Sequence, residues 1–68
     1  MPFNFEYSNS KISAVIDEYV HSQRDRDLLK RHYVDGIRYA PLAEEFELSE
    51  RHVKNIVYRE EGKLIKHL

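Results

Sequence analysis

The sequence predicts an all-α protein, a small four-helix bundle containing a helix-turn-helix, with a short extended N-terminal arm. Three observations predict it. Apolar residues recur three and four apart in four separate stretches, which places them on one face of a helix. Serines that can cap stand ahead of three of those stretches. Two glycines and two prolines are the only strong breakers in 68 residues, so helices joined by short turns are the default. A chain this long suits one domain. Residues 1–9 read as the arm and residues 10–68 as the domain.

The arm, "MPFNFEY", alternates Phe3, Phe5 and Tyr7 with a period of two, which fits a short extended arm or an edge strand, its aromatics folded over the helical core or, alternatively, binding a partner. Ser8 or Ser10 caps the first helix, whose stripe is Ile12, Val15, Ile16, Tyr19 and Val20. Asp17 and Glu18 take the wet face. Ser22 with Asp25 three residues on forms a variant capping box for the second helix. There Leu28, Leu29 and Tyr33 point inward, with Val34 near the end. Gly36 supplies the left-handed residue that stops this helix, and Ile37 packs back on its last turn. Pro41 fits the first turn of a short third helix, where a missing N–H does no harm; Leu42, Ala43 and Phe46 face in. Ser49 caps the fourth helix, in which Val53, Ile56, Val57, Leu64 and Leu68 recur. Gly62 interrupts it, marking a bend or the end of its tight part before "KLIKHL".

Composition narrows the function. The absence of cysteine excludes disulfides and thiolate metal sites and suits a reducing cytoplasm. No apolar run is long enough to span a membrane, and no signal-peptide pattern opens the chain. His21, His32, His52 and His67 are scattered without metal-ligand spacing, so no metal or cofactor is expected. No phosphate loop or nucleophilic triad is present, and a bundle this small has little volume for a pocket, so no enzymatic activity is expected. Net charge is -1, yet it is uneven. Residues 1–48 hold six Lys/Arg and nine Asp/Glu, whereas residues 49–68 hold five and three. Exposed charges act only over about 8 Å at physiological salt, so a local basic face matters more than the total.

Leu42–Phe46 and Glu50–Arg59 form the helix-turn-helix. Ala43 is small where the two helices approach, Leu48 and Val53 plug the corner, and Ile56 anchors the second helix. With these inward, Ser49, Glu50, Arg51, Lys54, Asn55 and Tyr58 face out. Such a helix fits the DNA major groove. Arg51 suits a guanine edge, Asn55 an adenine, and Glu50 a cytosine amino group, while Lys54 and Arg59 suit phosphates. Glu44 and Glu45 can turn away from a duplex or pair with nearby cations. Glu47 stands in the turn, where a positive φ is expected. Tyr33, Tyr39 and Tyr58 read as half-buried wedges.

Residues 24–68, "RDRDLLKRHYVDGIRYAPLAEEFELSERHVKNIVYREEGKLIKHL", resemble region four of bacterial sigma factors. The correspondence runs through Arg24–Leu28, His32–Gly36, Arg38–Ala43, Leu48–Ile56 and Lys63–Leu68. The resemblance implies a helix-turn-helix domain that reads promoter −35 DNA and can contact RNA polymerase through another surface. It implies base contacts from Glu50, Arg51, Lys54 and Asn55, and backbone contacts near Arg38, Tyr39 and His52. Ser49, Tyr58 and Arg59 complete the expected backbone set. The chain departs from the family at Arg38 (usually Thr), Pro41 (usually an acid) and Glu47 (usually Gly), and in the order Glu50 then Arg51. With no room for a segment that melts DNA, it is similar to short stand-alone region-four-like proteins of phages and mobile elements. "LSERHVKN" is also similar to the recognition helix of LuxR-type regulators.

The expected function is therefore sequence-specific binding of double-stranded DNA in transcription regulation. The alternative is a module that binds RNA polymerase or another regulator without touching DNA. A third reading is a weak homodimer through Leu64, Ile65 and Leu68 of the last helix.

Overall fold

The computed structural model describes residues 8–67. Phe3, Phe5, Tyr7 and Leu68 lie outside the described residues, and with them most of the expected arm. The chain is all-helical: α1 (Asn9–Tyr19), α2 (Gln23–Tyr33), α3 (Tyr39–Glu45) and α4 (Glu50–Lys66).

Helix starts follow the serines. The Ser8 hydroxyl accepts from the Lys11 N–H at 3.1 Å, so α1 begins at Asn9. The Ser22 hydroxyl accepts from the Asp25 N–H at 3.3 Å. The expected capping box is only half made, because the Asp25 carboxylate is taken by Arg24 and Arg59 instead. Arg26 closes the other end of α1, donating to the Val20 carbonyl at 2.8 Å and the His21 carbonyl at 3.3 Å. A cation there complements the negative end of the helix dipole.

Gly36 has φ 74° and turns the chain out of α2. The Ile37 N–H reaches the Arg31 carbonyl at 3.1 Å, and the Ile37 side chain packs on the core. Arg38 precedes α3 without a side-chain cap bond, and Pro41 is the third residue of that helix. The turn after α3 is a Schellman motif: Leu48 N–H to Ala43 O at 2.8 Å and Glu47 N–H to Glu44 O at 3.3 Å. It places Glu47 at φ 56°.

The core contains Ile12, Val15, Ile16, Val20, Leu28, Leu29, Tyr33, Leu42, Ala43, Val53, Ile56, Val57 and Leu64. Tyr19, Val34, Phe46 and Leu48 are half-buried against it. α3 packs chiefly on α4 and α1 on α2, and α1–α4 and α2–α3 contacts close the bundle. Ion pairs tie neighbouring helices at the surface: Lys30 to Asp17 at 2.6 Å across α1–α2, and Arg31 to Glu45 at 3.0 Å across α2–α3.

Two expectations about α4 are corrected. Gly62 does not end it, because Leu64 is fully buried and Lys63 pairs with Glu60, so packing and pairing carry the helix through to Lys66. Leu64 cannot serve a dimer face, since it lies in its own core at 1% exposure. Of the three residues named for that face, only Ile65 is both described and exposed.

Candidate nucleic-acid interface

The reading face is built by what α4 hides. Val53 is 0% and Ile56 1% exposed, and α4 turns about 100° per residue. Pinning those two leaves Glu50, Arg51, His52, Asn55 and Tyr58 exposed on the outside, with Lys54 half-buried at the flank. Ser49 is also exposed; its hydroxyl accepts from the His52 N–H at 3.0 Å, so it caps α4.

Lys54 is not free. Its Nζ lies 3.8 Å from Glu50 Oε1, one turn back, and 5.8 Å from the centre of the Tyr39 ring. Tyr39 is seated on α3 by His32, whose ring stacks on it at 4.9 Å, and by the edge of Tyr58 at 6.4 Å. His32 is fixed in turn by a 2.8 Å hydrogen bond between Nδ1 and the Ile37 carbonyl. Tyr39, Lys54 and Tyr58 therefore meet at one corner of the interface. Partial burial, and then Tyr58, push the Tyr39 phenol above its usual range. The expected tyrosine wedges divide: Tyr33 is buried, Tyr39 half-buried, and Tyr58 is 61% exposed, so Tyr58 is surface and not wedge. It follows Arg51 and Asn55 along one stripe of α4 and touches α3 through the Tyr39 ring.

Arg38 and Arg51 are exposed and have no ion-pair partner among the described residues. The expected phosphate contact Arg59 is placed differently. Its Nη2 donates to Asp25 Oδ2 at 3.0 Å and its Nε to Glu60 Oε2 at 3.0 Å. Asp25 is 4% and Glu60 5% exposed. Glu60 Oε1 is buried and faces Lys63 Nζ at 3.1 Å, a charge contact without hydrogen-bond geometry. Arg24, Asp25, Arg59, Glu60 and Lys63 thus form one chain of alternating charges joining α2 to α4. Sequence reasoning missed Asp25 and Glu60 as buried groups. Asp25 and Arg59 stand 34 positions apart, and no local spacing marks them as partners.

A second link joins the same helices. Tyr33 Oη donates to Glu61 Oε1 at 2.7 Å. Burial, reinforced by this carboxylate, drives the Tyr33 phenol far above its ordinary value.

The acids that weigh against a polyanion partner are largely used internally. Glu45 holds Arg31, Asp35 also pairs with Arg31, and these hydrogen bonds raise the pKa of Arg31. Glu50 is the one acid on the exposed first turn of α4. Elsewhere, an open groove of about 420 Å³ between α2 and α3 is lined by Asp27, Lys30, Arg31, Glu45 and Phe46. No group of three metal-binding side chains occurs among the described residues, and no described helix is long and apolar enough to cross a membrane.

Fold and site together define a small helical protein that displays a polar, cation-bearing helix on a tight turn. No protein-family model, curated protein or solved structure matches this chain.

Proposed function

We propose that the protein is a sequence-specific DNA-binding regulator of transcription, in the manner of sigma factor region four. α4 enters the major groove, Arg51 and Asn55 read base edges, and Glu50 selects for cytosine. Arg38, Tyr39, Ser49, His52, Lys54 and Tyr58 flank it along the sugar–phosphate backbone. The observation that carries this reading is the burial of Val53 and Ile56, which leaves Arg51 and Asn55 exposed on a capped helix. Near-neutral net charge suits a protein that relies on specific contacts and holds random duplex weakly.

The test is selection from a random duplex library at physiological salt, with and without RNA polymerase. Enrichment of one motif without polymerase supports direct reading. Binding to polymerase with no enriched motif, and with little salt dependence, supports instead a protein-interaction module. The specific observation favouring that second reading is the internal pairing of most cations in residues 24–35.

A further inference from the structure

α4 meets the rest of the bundle through Val53, Ile56, Val57 and Leu64, all hydrocarbon. The hydrophobic effect is not directional, so hydrocarbon packing specifies a rotation by shape alone. Hydrogen bonds are directional. Two polar links run from α2 to α4, Arg59 to Asp25 and Tyr33 to Glu61, both close to 3 Å or shorter.

Their placement matters. Glu60 is buried and marks the inward line of α4. Arg59 and Glu61 stand about 100° to either side of it. On α2 their partners Asp25 and Tyr33 are separated by about 12 Å along the axis. Turning α4 one way stretches one link, and turning it the other way stretches the second. A turn of about 20° would carry a side chain on the outer face about 2 Å sideways. Recognition contacts tolerate only about 0.5 Å.

We infer that Asp25 and Tyr33 are positioning residues which, through Arg59 and Glu61, fix the rotation of α4 and so decide which of its side chains meet the bases. The second half of this statement rests on the duplex-reading function proposed above; the rotational lock does not. Arg59 then contributes to specificity from behind the helix.

Tyr33→Phe removes one hydroxyl and keeps the ring, and Arg59→Lys keeps the charge and removes the fork. In each, affinity for the selected duplex falls about fivefold while affinity for a duplex changed at one read position holds, so discrimination drops. Ile12→Val, a core change on α1 that alters neither link, lowers stability and leaves discrimination intact. Uniform weakening at both duplexes, or discrimination within twofold of the parent in Tyr33→Phe, overturns the inference. Residual dipolar couplings of α4 amides in the free protein give a readout that needs no DNA, because their periodic variation reports rotation about the helix axis. A shifted or flattened pattern in Tyr33→Phe supports the lock, and an unchanged one overturns it. If the parent binds no duplex, the proposed function fails while these couplings still judge the lock.

Discussion

Glu47 holds the left-handed backbone conformation on which the turn between α3 and α4 depends. A side chain there costs about 1 kcal/mol relative to glycine. Glu47→Gly should raise the melting temperature, by up to about 4–8 °C for a domain of this size; calorimetry checks it. Arg51 and Lys54 differ in kind, since Arg51 has no ion-pair partner among the described residues and Lys54 is held by Glu50 and Tyr39. Arg51→Ala should cut discrimination between duplexes by about 1–3 kcal/mol, whereas Lys54→Ala should weaken all duplexes alike. Competition titrations against matched and altered sites separate the two. Tyr33 makes a third prediction. Its phenol is kept neutral in the folded protein, while the unfolded chain ionises near the ordinary value of 10.0. The folded state therefore retains a proton that the unfolded state loses. Stability is full below that pH and declines as pH rises above it. Tyr33→Phe should make the decline shallower in urea melts across the alkaline range, with Tyr39, shifted in the same direction, supplying the remainder.

At the scale of the elements, the helices were legible because their signals are local. Ser22 and Ser49 mark starts through bonds three residues away, and Gly36 marks a stop through its own φ. Gly62 misled because its cost, about 1 kcal/mol, is smaller than what the burial of Leu64 returns two residues later. Nothing lies within 4 Å of the position a Cβ would take there, and the backbone is helical. Gly62→Ala should therefore stabilise the protein by about 1 kcal/mol, read from denaturant midpoints. The face of α4 was legible for the same reason as the helices: Val53 and Ile56 repeat at helical spacing. Its rotational anchoring was not, because Asp25 meets Arg59 and Tyr33 meets Glu61 only after α2 has folded against α4.

On the scale of the whole molecule, five of the eleven lysines and arginines are engaged in close internal ion pairs. Lys30, Arg31, Arg24, Arg59 and Lys63 all face carboxylates of the same chain. Arg38 and Arg51, with Lys54 weakly held, are the cations that the proposed interface offers to a duplex. With Arg51 on base edges, Arg38 and Lys54 neutralise about two phosphates, which predicts a slope near −2 for log affinity against log salt. A flat response in fluorescence titrations would favour the polymerase-binding alternative. Burial of Leu64 further predicts that sedimentation at two concentrations gives one monomeric species, since of the expected dimer face only Ile65 is exposed among the described residues. The same internal pairing bears on how a target would be found. A molecule that has engaged several of its own cations, and whose net charge is -1, has little to bind it to arbitrary stretches of chromosome. Its search would proceed by many brief landings from solution, each ending quickly unless the correct bases lie beneath α4, and hardly at all by gliding along the polymer.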